Sequence, residues 1–202
     1  MHSSLFGRWS ALVLCVLACG ACSPTPELPP VADPAAAWEA RNLKLAQLDA
    51  WRLVGRIGVV TGEKGGSATL HWRQLPQRYE IDLFGPFGTG LVRLHGNDEA
   101  AVLETPDGEA LYAGSAAVLF EQGLGWPVPI GPLRRWVLGL SDMNDAYELD
   151  PQGRLATLTH DEWQVNFLAY GDVDGFDLPR KLYMRTEGLG IKLVVHEWEL
   201  QY

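Results

Sequence analysis

The sequence predicts one mainly β domain, in which about eleven antiparallel strands bend into a barrel-like wrap whose mouth a few helices plug or cover. Three observations predict this class. Apolar and polar residues alternate over most of the chain after residue 50, turn residues separate these runs, and only three short segments have helical spacing. A sheet of so many strands must curl to bury its apolar face, and the few helices can only cover its opening. Such folds commonly hold apolar ligands.

The first predicted element of the domain is a helix. Asp33 followed by Pro34 is typical of a helix start, and apolar residues at near-helical spacing extend the prediction over residues 34–49. From Trp51 the apolar period changes to two, which indicates a strand, and the glycine-containing segment 63–66 supplies a hairpin turn.

Further alternating runs predict the rest of the sheet. The predicted strands that follow the first are 68–73, 78–83, 91–96, 101–105, 109–113, 146–149, 155–160, 162–170, 179–187 and 191–200. Two short helices, predicted over 115–124 and 132–140, lie between the two groups and are separated by the proline-containing break at 126–129. The order is therefore one helix, about six strands, two helices and about five strands.

The charge of the chain excludes some partners. Its 25 acidic and 16 basic residues give a formal net charge of -9, which argues against nucleic acid as a partner. The same balance argues against electrostatic attraction to an anionic membrane surface. Any membrane contact must therefore depend on apolar groups or on a covalent lipid.

The N-terminus predicts such a lipid. Residues 1–21 have one charge, Arg8, followed by an apolar stretch too short to span a bilayer, as in a secretory signal peptide. Small residues precede Cys22 and prolines follow it, a pattern similar to the lipobox at which a cysteine is acylated and becomes the first residue. In a lipobox the position three before the acylated cysteine is usually leucine, but here that position is occupied by Cys19. Cys19 is itself the competing site of acylation.

The domain boundaries follow from this N-terminus. Residues 22–33 are rich in proline and form a predicted stiff tether, and residues 34–202 form the single folded domain. All three cysteines lie in the first 22 residues. None is left for a disulfide or a metal site in the folded part of the chain.

The sequence shows no pattern typical of catalysis, so we expect a protein that is not an enzyme and that has no cofactor and no metal. The histidines of the domain are single, lie on separate predicted strands and lack the spacing of metal ligands. They are His71, His95, His160 and His196.

One predicted loop has an unusual composition. Phe87 lies between Pro86 and Gly88 where a polar turn tip is expected. The side chain can fold back onto the sheet, or it can act as a wedge that enters a lipid bilayer. The residues alone favour neither interpretation.

Several segments, in order, resemble the LolB family of outer-membrane lipoprotein receptors. They read WRLVGRI at 51–57, GPFG at 85–88, LGWPVPI at 124–130 and LRRWVLGL at 133–140. The resemblance covers about residues 38–200. The family usually has leucine at the tip of the loop, and this chain has Phe87.

The resemblance implies a fold and a function. It implies an incomplete antiparallel barrel whose helical lid covers an apolar cavity for acyl chains, with a protruding loop that promotes membrane insertion. The implied partners are a LolA-like periplasmic carrier, triacylated lipoproteins as cargo, and outer-membrane lipid. We expect a monomer that is anchored through Cys22 at the periplasmic face of the outer membrane.

We expect inward-facing residues of the sheet and of the lid to line the cavity. These candidates are Trp51, Leu53, Ile57, Trp72, Ile81, Leu83, Trp126, Leu133, Trp136 and Val137. Two other functions remain open for the same scaffold. One is the soluble periplasmic carrier itself, and the other is an envelope enzyme or lipid-sensing regulator, which a required metal or an acid-base pair in the cavity would reveal.

Overall fold

A computed structural model describes residues 29–62, 64–85, 90–124 and 128–201 of the chain and shows three helices and eleven strands. The helices are α1 (Pro34–Leu45), α2 (Ala116–Leu124) and α3 (Ile130–Trp136). The strands are β1 (Ala50–Thr61), β2 (Lys64–Leu75), β3 (Arg78–Phe84), β4 (Leu91–Gly96), β5 (Ala101–Glu104), β6 (Ala110–Ala113), β7 (Ala146–Leu149), β8 (Leu155–His160), β9 (Trp163–Val173), β10 (Phe176–Thr186) and β11 (Leu189–Gln201).

All eleven strands form one antiparallel sheet. Their order is β6-β5-β4-β3-β2-β1-β11-β10-β9-β8-β7, so nearly every strand pairs with its neighbour in the chain. The exception is the pairing of β1 with β11, which joins the two halves. The edge strands β6 and β7 do not pair with each other in the described residues, so the sheet is not closed into a barrel. The predicted fold class is confirmed.

The helix boundaries differ from the prediction in two places. Helix α1 begins after the Asp33 cap as predicted, with the Asp33 carboxylate accepting from the amides of Ala35 and Ala36. It ends at Leu45 rather than at residue 49, because the segment after it turns into β1, which starts at Ala50.

Helix α3 spans Ile130–Trp136 rather than 132–140. Gly139 has a φ of 76°, a left-handed conformation that ends the helical turn. The amide of Leu140 then bonds the carbonyl of Arg135 at 3.0 Å. This turn sends the chain away from the helix axis toward β7.

A cluster of aromatic side chains fills one end of the space inside the sheet. The ring of Trp51 lies 5.1 Å from that of Trp72 and 5.3 Å from that of Trp198. Buried residues of the core run from Trp38 to Trp198. A chain that begins at Ser23 therefore keeps every one of these core residues, and we expect it to fold on its own.

Helix α1 is fixed to the sheet by its buried residues Trp38 and Leu45 and by polar contacts. Trp38 donates its indole N–H to the hydroxyl of Tyr147 at 3.1 Å. The guanidinium groups of Arg41 and Arg154 lie 5.2 Å and 4.5 Å from the centre of the Tyr170 ring. The Tyr170 hydroxyl donates to the carbonyl of Leu155 at 2.7 Å, and burial raises the pKa of this hydroxyl.

Two glycines of β1 offer a matched test of the packing. The pairing of β1 with β11 shifts register between Val54 and Gly55, and a Cβ at Gly55 would lie 2.5 Å from the carbonyl oxygen of Val194. We expect Gly55→Ala to lower the free energy of unfolding in urea by about 1–3 kcal/mol. Gly58→Ala is the control, because its nearest neighbour would be 4.0 Å away. An equal loss of stability in both variants would contradict the close approach of Gly55 to Val194.

The buried Tyr170 hydroxyl predicts a loss of stability in alkali. The unfolded chain ionises this group near pH 10, while the raised pKa keeps it neutral in the folded chain. The contribution of this neutral hydroxyl to the free energy of unfolding is therefore complete below about pH 10, and it is lost as the pH rises above that value. Tyr170→Phe should cost about 0.5–1.5 kcal/mol at neutral pH, because it removes one hydrogen bond.

The same variant should make the free energy of unfolding fall less steeply above about pH 10, as measured by urea titrations at several pH values. Tyr112→Phe is the control, since the Tyr112 side chain is 75% exposed. Tyr79 adds to the remaining fall, because burial also raises its pKa. An unchanged slope in Tyr170→Phe would show that this group does not cause the alkaline loss.

Candidate functional site

The principal cavity lies between the concave face of the sheet and helices α2 and α3. Its volume is about 670 Å³, within the range of roughly 300–1,000 Å³ that is typical of small-ligand sites. Apolar side chains form most of its wall, and Lys64 is the one ionisable residue among the described lining residues. Such a cavity suits a ligand with long apolar groups and little charge.

Seven of the ten residues predicted to line the cavity do so in this structure. Alternation along each strand explains why, since Ile81 and Leu83 of β3 share one face of the sheet. The helix residues Leu133 and Trp136 approach from the opposite side. The complete set is Ile57, Trp72, Ile81, Leu83, Leu133, Trp136 and Val137.

Trp51 and Leu53 are not among the lining residues, which corrects the prediction for these two. They share a face of β1 with Ile57, but Leu53 is paired directly with Trp72, and Trp51 lies two residues further from Ile57, against the rings of Trp72 and Trp198. Trp72 contacts Trp51 and also borders the cavity, so it forms the floor between the filled and the empty space.

The sequence prediction missed a second group of lining residues. The pairing of β1 with β11 brings the C-terminal strands to the cavity, and no pattern in the sequence indicates that pairing. The residues contributed by β9, β10 and β11 are Trp163, Met184, Leu189, Ile191 and Leu193. Helix α2 contributes Phe120, the segment before α3 contributes Val128 and Pro129, and the first residue of α3 contributes Ile130.

The end of the cavity opposite Trp72 has small and polar residues. The β1–β2 hairpin contributes Thr61, Lys64, Ser67 and two glycines, and Gly85 and Gly90 lie at the base of the β3–β4 loop. The amide of Gly85 donates to the carbonyl of Gly90 at 3.1 Å and closes this base. The cavity is therefore bordered at this end by Gly85 and Gly90, the base of the β3–β4 loop.

Several predicted site residues lie outside the described residues. They are Cys22, Pro86, Phe87, Gly88 and Trp126. In the described part of the chain, no helix is long and apolar enough to cross a membrane.

Helix α3 presents two arginines on the side away from the cavity. Arg134 Nη2 lies 2.8 Å from Asp98 Oδ1 in the β4–β5 turn. Arg135 Nε lies 2.6 Å from Asp142 Oδ1, and its Nη2 donates to the carbonyl of Ser141 at 2.6 Å. The two ion pairs attach the helix to different parts of the domain.

Asp142 belongs to a cluster that sequence spacing did not predict. The pairing of β7 with β8 places Asp145 beside His160, and Asp145 Oδ1 lies 2.6 Å from His160 Nδ1. Asp142, Asp145 and His160 each offer an atom within 4.8 Å of the others, a spacing that could hold a metal ion. However, the second Asp145 oxygen accepts from the amide of Asp142 at 2.6 Å, and Arg135 pairs with Asp142. The cluster acts as a hydrogen-bonded support for the segment after α3.

Comparisons with known proteins agree with the motifs of the sequence. The model of the family described as "Outer membrane lipoprotein LolB" matches residues 49–198. The chain belongs to the LolB family. The motif-based resemblance is therefore confirmed.

Individual LolB relatives cover most of the chain. The outer-membrane lipoprotein LolB of Stutzerimonas stutzeri is 38% identical over 166 residues, which is 81% of each protein. The protein of the same name from Nitrosococcus oceani is 32% identical over 196 residues, or 96% of this chain and 98% of its own.

Among solved structures, a LolA superfamily protein from Nitrosomonas europaea is similar, with a TM-score of 0.56. Its sequence is 9% identical, and the match covers 82% of this chain and 94% of that protein. At this identity the similarity shows a shared fold alone.

Proposed function

We propose that this chain receives triacylated lipoproteins from a LolA-like periplasmic carrier, holds their acyl chains in the cavity and inserts them into the outer membrane. The apolar cavity of about 670 Å³ is the observation that carries the proposal. Membership of the LolB family supports the same role in outer-membrane lipoprotein sorting.

The physical problem of such transport is the exposure of acyl chains to water. Each methylene group moved out of water contributes about 0.8 kcal/mol. A cavity with almost no polar lining removes the acyl chains from water, and this requires neither a charged ligand nor a covalent step. Transfer from carrier to receptor then runs downhill wherever the receptor binds the chains more tightly than the carrier does.

The walls of the cavity combine aromatic and aliphatic side chains. Trp72 and Trp136 are 2% and 0% exposed, and each loses little conformational freedom when an acyl chain packs against it. The aliphatic residues of β3, β4 and β11 can adjust to chains of different length. Apolar packing of this kind accepts any acyl chain and does not discriminate between the polypeptides attached to it.

The N-terminus supplies location in this proposal. Residues 1–21 act as a signal peptide, Cys22 carries the lipid, and residues 22–33 link the anchor to the domain of residues 34–202. The residue after Cys22 is Ser23 rather than aspartate, which is consistent with delivery to the outer membrane. The receptor is thereby held at the periplasmic face of its target membrane.

The β3–β4 loop supplies the release step. Its base, Gly85 and Gly90, borders the cavity, so an acyl chain that leaves at this end passes the loop. Phe87, flanked by Pro86 and Gly88, enters the bilayer and brings the cavity opening to the lipid surface. An aromatic side chain favours the headgroup boundary, whereas a leucine would enter more deeply.

Tryptophan signals provide a test of the cavity. In a chain that begins at Ser23 and carries 5-fluorotryptophan, a triacylated lipopeptide should shift the ¹⁹F resonances of Trp72, Trp136 and Trp163, which line the cavity. The resonance of Trp38 on α1 is the internal control. Resonances can be assigned by single Trp→Phe variants. Shifts confined to Trp38, or no shift at saturating lipopeptide, would refute binding in the cavity.

The loop proposal predicts a separation of uptake from release. Phe87→Glu should accept labelled lipoprotein from the loaded carrier at the normal rate but deliver it to liposomes at least about tenfold more slowly, because an apolar anchor of about 1.5–3 kcal/mol is lost.

Phe87→Leu should keep delivery, since it preserves the apolar tip, and Tyr112→Glu is a control at an exposed side chain on β6. Normal delivery by Phe87→Glu would show that the loop tip does not promote insertion. Failure of the unaltered chain to accept cargo would instead refute the receptor function.

A further inference from the structure

One cation lies at the end of an otherwise apolar face of the sheet. Residues 64, 66, 68, 70 and 72 alternate onto the same side of β2, and all of them line the cavity. Trp72 forms the floor of the cavity, and Lys64 lies at the opposite end of this series. The Lys64 side chain is therefore placed at the rim of the apolar space.

The surroundings of Lys64 leave room for a polar group. Gly66 is its neighbour on the same face of β2, and a Cβ at Gly66 would meet no atom within 4 Å. Thr61 is paired with Lys64 across the β1–β2 hairpin, and it also lines the cavity. An open space therefore lies beside Lys64 and Thr61, where the apolar lining ends.

The charge of Lys64 is not used within the described part of the domain. Among the residues that the structure describes, its ammonium group has no carboxylate partner. On the opposite face of the sheet, by contrast, arginines are paired with carboxylates of neighbouring strands. These pairs are Arg52–Glu199, Arg73–Glu80 and Arg93–Asp82.

The acyl chains of a triacylated lipoprotein do not require this charge. Their ester and amide links are neutral, so the proposed cargo leaves the ammonium group of Lys64 without an anion. In apolar ligand sites, a few polar groups fix the orientation of the ligand and provide specificity. A lysine at the rim is such a group, and carboxylate and phosphate oxygens are its strongest partners.

We propose that the cavity also binds single-chain lipids with an anionic head, whose chain lies between the sheet and α3 and whose carboxylate or phosphate contacts Lys64. Fatty acids and lysophospholipids share this chemistry. Lys64 then determines the specificity for the head group, while the apolar wall binds the chain. This ligand class is separate from the lipoprotein cargo of the proposed function.

The overall negative charge of the protein does not prevent this contact. At physiological ionic strength, exposed charges more than about 8 Å apart are largely screened, so the head group responds mainly to the charge that it touches. Because the rim is open to water, the contact resembles an exposed ion pair. Its expected effect on a dissociation constant is therefore about two- to fivefold.

Displacement of a neutral fluorescent probe, N-phenyl-1-naphthylamine, measures these dissociation constants in a chain that begins at Ser23. The competitors are palmitate, palmitoyl lysophosphatidylglycerol and neutral monopalmitoylglycerol, each below its micelle concentration. Lys64→Gln should weaken the binding of both anions about two- to fivefold and leave that of monopalmitoylglycerol unchanged, because glutamine keeps a donor but removes the charge. Lys64→Arg should keep the affinity for the anions.

Lys192→Gln is the matched control. Lys192 is an exposed lysine of β11 between Ile191 and Leu193, which line the cavity. Alternation therefore places Lys192 on the opposite face of the sheet. This variant should bind all three lipids with unchanged affinity.

An amine-reactive ester of palmitate gives the position of the head group. In the unaltered chain that begins at Ser23, this ester should acylate Lys64 in preference to the other three lysines, as measured by mass spectrometry of peptides. Those lysines are Lys44, Lys181 and Lys192.

The outcomes separate this proposal from the receptor function. Weaker anion binding in Lys64→Gln with preferential labelling of Lys64 would support it, and a loss confined to palmitate or to the lysophospholipid would identify the head group. Unchanged anion binding in Lys64→Gln, or equal labelling of all the lysines, would overturn it. Binding of monopalmitoylglycerol alone would also overturn it and leave the proposed receptor function intact. Lys64-dependent anion binding by a chain that accepts no lipoprotein from the carrier would instead support this proposal and refute the receptor function.

Discussion

The open edges of the sheet are the constraint on which the rest of the structure depends. An antiparallel sheet of eleven strands with one apolar face must curl to remove that face from water, but β6 and β7 do not pair. Helices α2 and α3 must therefore cover what the sheet leaves open. Because two short helices do not fill the space that a closed and packed barrel would fill, a cavity remains between the two layers.

The position of that cavity follows from where the large side chains lie. Trp51, Trp72 and Trp198 fill one end of the sheet, whereas glycines and small polar residues border the other end. The molecule thus has a solid end and a hollow end. The hollow end is the one that carries the β3–β4 loop, so the ligand space and the proposed membrane contact lie on the same side of the domain.

Much of this could be predicted from the sequence because most contacts are local. Strands that pair with their neighbours in the chain appear as successive runs of period two separated by turns, so the strands and the fold class could be predicted. The cavity wall was predicted only in part, since periodicity gives the face on which a residue lies but not its depth along the strand. Trp51, Leu53 and Ile57 share a face, yet only Ile57 borders the cavity.

Contacts between distant segments could not be predicted in this way. The pairing of β1 with β11 brings Ile191 and Leu193 to the cavity. These two strands lie at opposite ends of the sheet-forming sequence, and no spacing in the sequence indicates that they pair. The boundary of α3 depended similarly on one local conformation, the left-handed Gly139.

In the function proposed here, the cavity and the loop serve to move apolar chains between similar environments. No step in this account requires a proton transfer or a bound cofactor. The specificity for lipoproteins would come from the carrier that delivers them and from the acyl chains, while the direction of transfer would come from relative affinity. In the same proposal, the lipid on Cys22 sets the location of the protein, and the transfer of acyl chains depends only on the burial of apolar surface.

The most direct test is to identify which residues an acyl chain contacts after transfer. A lipoprotein with a diazirine in one acyl chain would be passed from the loaded carrier to a chain that begins at Ser23, illuminated, and analysed by mass spectrometry. The account predicts labels on cavity residues such as Ile81, Leu83 and Ile191. Labels on the exposed Leu168 and Tyr183 instead, or no label after confirmed transfer, would contradict it.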